Sequence, residues 1–138
     1  DFSQGTPFFN IYKGDLETEC IHLTSSQSIR TDAPIDNRGK ASAFSPTDLC
    51  ATSLATCMLT VMGIWARDND VDMDGAYAEI TKHMGVDPRR IVRIDVNLYF
   101  PDKGYSNKEK SIFRHIADTC PVAKSLHPEI EQAIVFNW

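Results

Sequence analysis

Cysteine is scarce in this chain, and what there is does not form a metal-binding pattern. Cys20, Cys50, Cys57 and Cys120 make neither a Cys-x-x-Cys pair nor a zinc-ligand spacing. His22, His83, His115 and His127 likewise put no pair at ligand spacing on one predicted element, so each reads as structural or solvated. Surplus basic charge is lacking too. A net charge of -5 leaves no broad positive surface for a phosphate backbone, and nucleic acid is not an expected partner. The cluster Pro88-Arg89-Arg90 with Arg93 reads as a solvated turn rather than an anion site. Asp1 to Gly5 show no basic start followed by an apolar run, so no secretory signal is expected and a cytoplasmic location is favoured. There the thiols would be kept reduced, and a disulfide would be transient and catalytic.

Charge itself is missing from Leu49 to Ala66, a stretch just long enough to raise a transmembrane helix. Thr52, Ser53, Thr56, Thr60 and Gly63 dilute its hydrophobicity, and neither an aromatic belt nor a flanking basic cluster follows. The expectation is a helix of a soluble domain, buried on nearly all sides and outside any membrane.

The chain does have enough apolar material for a real core: 138 residues at 42% hydrophobic content predict a single domain, 1–138. Phe8 to Leu23 reads as a hairpin turning at Lys13-Gly14-Asp15, with a third strand over Ser28 to Asp32 and a loop from Ala33 to Phe44. Ser45-Pro46-Thr47-Asp48 is a strong helix start: Ser45 can accept an orphan N–H, Pro46 fits the first helical position, and Asp48 favours the positive end of the dipole. The helix is predicted to run to about Asp68. Asp72 to Met84 and Arg90 to Phe100 predict two antiparallel strands, the second alternating Val92, Ile94, Val96, Leu98 and Phe100 against polar neighbours. Ser106 to Glu109 is a capping box opening a second helix, Cys120-Pro121 begins a short third one, and Ala133 to Trp138 closes the chain as a strand. No internal repeat interrupts this order. Strands and helices fall in blocks, which points to an α+β fold.

Cys20 and Cys50 read as packing residues. Cys50 lies two helical turns from Cys57, about 10.5 Å along one face, too far for a disulfide within the chain. Cys57 alone, inside an apolar helix, would be a small hydrophobe. Cys120 says more, because Cys-Pro puts its sulfur at a helix N-cap, a position cysteine seldom takes. There the helix dipole favours thiolate, so a lowered thiol pKa is expected for Cys120.

The segments Ser45-Pro46-Thr47-Asp48-Leu49 through Cys57-Met58, and Cys120-Pro121-Val122-Ala123-Lys124-Ser125-Leu126, together resemble the OsmC/Ohr family, the osmotically inducible and organic hydroperoxide resistance proteins. The spacing of Pro46, Cys57 and Cys120 and the order of elements agree with that family over nearly the whole chain. The resemblance implies antiparallel sheets wrapped around two long central helices in an intertwined homodimer, with active sites at the subunit interface. It implies a thiol peroxidase that needs no metal, flavin or other cofactor. Cys57 would attack an organic hydroperoxide and become a sulfenic acid, Cys120 would resolve it as a disulfide, and a dithiol or lipoyl-type reductant would reopen the bond. The alternatives are a non-catalytic OsmC-like protein holding a small hydrophobic ligand, and a redox sensor.

A thiolate in apolar surroundings needs a cation beside it. In the family an arginine from the early strands supplies it, held by a glutamate after the helix-start proline. Here Thr47 stands at the glutamate position with Asp48 next to it, and Glu17 stands where the arginine is expected. The chain thus looks like a divergent branch, with Arg30 and Arg38 as the candidates to stand in for the missing cation.

Overall fold

A computed structural model of the chain describes residues 8–138; the stretch Asp1 to Gly5, in which no secretory signal is read, lies outside the described residues. The chain forms two compact units, Asp1–Leu49 and Cys50–Trp138.

The N-terminal unit is a three-stranded antiparallel sheet, β1 (Phe8–Gly14), β2 (Glu17–His22) and β3 (Gln27–Asp32), in that spatial order. Asp15 and Leu16 take positive φ (56° and 63°) in the tight turn between β1 and β2, the backbone twist a two-residue hairpin requires. Phe9 pairs with Ile21, and Thr18 pairs with both Tyr12 and Thr31. The Thr18 and Thr31 hydroxyls are hydrogen-bonded across the strands. A 3₁₀ turn, Ile35–Asn37, follows, and Arg38 after it has φ 70°.

Helix α1 (Pro46–Asp68) begins where the sequence places it. The Ser45 hydroxyl accepts the Asp48 N–H at 3.1 Å, and the Asp48 carboxylate accepts the Ser45 N–H at 2.9 Å. This reciprocal pair satisfies two donors that the helix start would otherwise leave open.

In the C-terminal unit α1 sends Ala51, Leu54, Ala55, Met58, Met62 and Ala66 into the core, positions that recur at helical spacing. They belong to one cluster with Ile94, Val96 and Leu98 of β5 (Arg90–Tyr99) and with Phe113 and Ala117 of α2 (Asn107–Thr119). β4 (Tyr77–Gly85) pairs antiparallel with β5, Ile80 opposite Val96. The capping box of α2 is complete, Ser106 and Glu109 each accepting the other's N–H. After α2 come the short α3 (Pro121–Ser125) and β6 (Glu131–Asn137). Phe100, Phe113, Phe136 and Trp138 form a ring cluster, with Trp65 edge-on to Phe113 at 5.2 Å between centroids.

Three expectations change. The second sheet is mixed: β6 runs parallel to β5, Val96 opposite Ile134, because α2 and α3 form a crossover that returns the chain in the direction of β5. β4 starts at Tyr77 rather than Asp72, because Asp72 is held in a turn. Its carboxylate accepts the Asp74 N–H at 2.9 Å and its carbonyl accepts the Tyr105 hydroxyl at 2.6 Å. And α1 is buried along one face only; Thr56, Thr60 and Ile64 on the other side are exposed, Ile64 by 49%. By length and composition α1 is also the one helix among the described residues that could cross a membrane.

Candidate functional site

Cys57 sits mid-way along α1, beside the fully buried Met58 but on the flank of the core face. It is partly buried and packs against the hydrophobic core. Cys120 lies between α2 and α3, 1% exposed, in extended conformation (φ -63°, ψ 153°). It is the N-cap of α3: Pro121 occupies the first helical position and the Cys120 sulfur accepts the Ala123 N–H at 3.5 Å.

The two cysteines meet. The Cys57 sulfur accepts the N–H of Val122, the second residue of α3, at 3.5 Å, while the Cys120 sulfur accepts the N–H of the next residue, Ala123, also at 3.5 Å. Both are free thiols. One sulfur on a long helix and one at the head of a short helix are thereby brought from distant parts of the sequence to adjacent N–H groups of one turn, the kind of juxtaposition that interconverting dithiol and disulfide needs.

The lowered pKa expected for Cys120 is not what its surroundings produce. Burial pushes the thiol above its ordinary value, the Ala123 N–H pulls against this, and the contact with Cys57 adds to the rise. The N-cap position still favours the thiolate, but here desolvation outweighs it. Its surroundings favour the thiol form of Cys120. The pattern Cys-Pro reveals the cap; the packing that reverses the titration is tertiary and leaves no mark in the segment itself.

Thr47 and Asp48 are engaged at the start of α1, Asp48 with Ser45 as above and the Thr47 hydroxyl 3.3 Å from that of Ser45. Along the helix Asp48 precedes Cys57 by about 13 Å. Arg30 projects from β3 into an ion network of the N-terminal unit: its guanidinium donates to Glu17 at 2.8 Å and to the Ser42 hydroxyl and carbonyl at 2.9 and 3.0 Å. Lys40 completes that network, donating to Asp15 at 2.8 Å and Glu17 at 3.0 Å. Asp32, fully buried, accepts both the N–H and the hydroxyl of Ser42. The Lys40 and Arg30 contacts hold the Glu17 carboxyl below its ordinary range, and the Ser42 donors do the same for Asp32. Lys40 is raised in turn, chiefly by Asp15 and Glu17. Arg38 is placed by the 3₁₀ turn of the same unit. Reading the sequence missed Lys40 and Ser42; acidic Asp15 and Glu17 around a tight turn were the available signal that a cation should lie across from them. Among the described residues no group of three or more His, Cys, Asp and Glu is arranged to hold a metal ion.

The family model for OsmC-like proteins matches residues 39–134. A crystal structure from Psychrobacter arcticus 273-4, of a protein named for osmotic stress induction and a detoxification response, is 51% identical, with a TM-score of 0.92 over 96% of each chain. An organic hydroperoxide resistance protein OsmC from Legionella pneumophila has the same fold at 12% identity, with a TM-score of 0.74 over 97% of this chain and 98% of that one. An organic hydroperoxide resistance protein from Elizabethkingia anophelis superposes with a TM-score of 0.73 at 11% identity over 94% and 93%. No curated protein sequence matches the chain.

Proposed function

The chain belongs to the OsmC-like family, and on that premise we propose that it is a thiol peroxidase that reduces organic hydroperoxides with Cys57 and Cys120. The observation that carries the reading is the approach of the two sulfurs to one turn of α3, the Cys57 sulfur accepting the Val122 N–H and the Cys120 sulfur the adjacent Ala123 N–H.

Cys57 as thiolate attacks the distal oxygen of ROOH. The O–O bond breaks, the alkoxide takes up a proton and leaves as ROH, and Cys57 becomes a sulfenic acid. Cys120, already beside it, then attacks the Cys57 sulfur; the S–O bond breaks, hydroxide takes the Cys120 proton, and one water leaves as the disulfide forms. A dithiol, free or lipoyl-type, reduces that bond by exchange and is itself oxidised. The partial exposure of Cys57 gives a peroxide a way in, and the burial of Cys120 keeps the resolving thiol from oxidants.

The same reading includes a homodimer with active sites at the subunit interface and a reducing, cytoplasmic setting. What supports the dimer is the exposed, uncharged side of α1 together with a three-stranded sheet that buries no hydrophobic side chain among the described residues. Arg30 and Arg38, the basic residues offered for activation, both belong to the N-terminal unit, where Arg30 is held by Glu17 and Ser42.

The test is turnover of cumene hydroperoxide with a dithiol. Cys57→Ser should abolish it, at least a hundredfold being about the scale of losing a nucleophile, and Cys120→Ser should leave a trappable sulfenic acid at Cys57. Full activity in Cys57→Ser would end this reading. Disulfide formation without turnover by any dithiol would point to a sensor instead.

A further inference from the structure

α3 is capped by Cys120 and carries in its first turn the Val122 N–H that bonds to the Cys57 sulfur, yet it has only five residues. A helix that short has more open ends than internal bonds and takes its position from what holds it outside itself. Two of its carbonyl ends are closed locally: Cys120 accepts from the Lys124 N–H at 3.0 Å, and Val122 from the Leu126 N–H at 3.1 Å. The Ala123 carbonyl would be next, but the chain has turned extended at Leu126 and Pro128 follows. Gln132 on β6 closes it, its side-chain amide donating to the Ala123 oxygen at 3.0 Å. Buried Ala123 is therefore clamped at both ends of its peptide units, its N–H by the Cys120 sulfur and its carbonyl by Gln132. β6 is in turn fixed by its parallel register to β5, where Gln132 sits opposite the fully buried Ile94.

We propose that Gln132 is a positioning residue for disulfide closure. Through the Ala123 carbonyl it ties α3 to the sheet and so keeps the Cys120 thiol aimed at the Cys57 sulfur. The step it serves is the one in which Cys57 sulfenic acid and Cys120 thiol condense to a disulfide and water. Peroxide attack draws on α3 only through the Val122 N–H at the Cys57 sulfur, whereas closure needs the Cys120 sulfur itself brought into line, so a shift of α3 slows closure more than attack. This rests on the peroxidase reading above.

The experiment is a rapid-quench series on the full chain after one equivalent of tert-butyl hydroperoxide, with sulfenic acid trapped by dimedone and disulfide measured by mass. Gln132→Met keeps the side-chain length and removes the donor; Gln132→Glu keeps the shape and sets an acceptor against the carbonyl. Expected are disulfide closure slowed by about three- to tenfold, as the loss of one hydrogen bond implies, more in Gln132→Glu than in Gln132→Met. Sulfenic acid should form within twofold of the unmodified rate, and the dimedone adduct at Cys57 should accumulate. Unchanged closure in both variants, with disulfide forming normally in the unmodified protein, overturns the role of Gln132 and leaves the peroxidase reading standing. Attack and closure slowed together with a lowered thermal midpoint would make Gln132 merely structural and also overturn it. If the unmodified protein forms sulfenic acid but no Cys57–Cys120 disulfide, the peroxidase reading fails and this inference with it.

Discussion

The two units of this chain are held by different forces. In the C-terminal unit Leu54, Met58, Met62, Ile94, Val96, Leu98 and Phe113 are fully buried, and every buried hydrophobic side chain among the described residues lies there. Each such side chain contributes about 1.5–3 kcal/mol by leaving water. The N-terminal unit buries Thr31, Asp32 and Ser45 instead, and leaves Phe8, Phe9, Ile11, Tyr12 and Ile29 on β1 and β3 exposed. Its internal order comes from strand pairing and from the Glu17, Arg30, Lys40, Asp32 and Ser42 network. The difference teaches where the thiol chemistry can be built: the two sulfurs belong to the unit whose packing fixes α1 against the rest of a core, while the charge-ordered unit offers cations and apolar strand faces.

That contrast can be broken most severely at Phe113, which has no exposure and touches the rings of Trp65, Phe100, Tyr105 and Trp138. Phe113→Ala should cost about 3–5 kcal/mol and lower the denaturation midpoint of the C-terminal unit. A loss below about 1 kcal/mol in guanidinium unfolding would mean that this core is not what carries its stability.

A smaller, local effect is expected at Lys40. Lys40→Met removes the cation shared by Asp15 and Glu17, so backbone amides of β1 to β3 should exchange faster while those of β4 to β6 keep their protection. Equal loosening of both sheets, read by hydrogen–deuterium exchange, would contradict the separation of forces.

Acid should do the same more gently. Glu17 and Asp32 are held below their ordinary values of 4.5 and 3.8, Glu17 by Lys40 and Arg30 and Asp32 mainly by Ser42. A carboxyl with a lowered folded pKa adds stability above its unfolded value, and that contribution is lost as pH falls through the folded one. The first sheet should therefore lose protection below about pH 4. Asp72 and Asp95 in the second unit are lowered as well, by the Asp74 N–H and by His83 respectively, but the apolar core there does not titrate. Protection factors of β1 to β3, taken relative to the intrinsic exchange rate at each pH, that stay flat from pH 6 to pH 3 would contradict this.

Much of the fold is legible in local chemistry. Ser45-Pro46-Thr47-Asp48 and Ser106 to Glu109 write helix starts because capping needs only neighbours, and the alternation of β5 writes one buried face. What the segments do not carry is long-range. The parallel run of β6 depends on how α2 and α3 return the chain, and Asp72 looks like strand until Tyr105 is seen bonding to its carbonyl. At the candidate site the Cys-Pro cap could be read from two residues. The direction of the Cys120 shift could not, because its burial is set by packing, and Gln132 has no sequence neighbour that signals its bond.

The most direct measurement of the central claim is a non-reducing peptide map after one equivalent of an organic hydroperoxide. The expected result is one cross-linked species joining the Cys57 and Cys120 peptides, lighter by two hydrogens than the reduced pair. Thiols that both remain free, or a bond that instead engages Cys20 or Cys50, would contradict it.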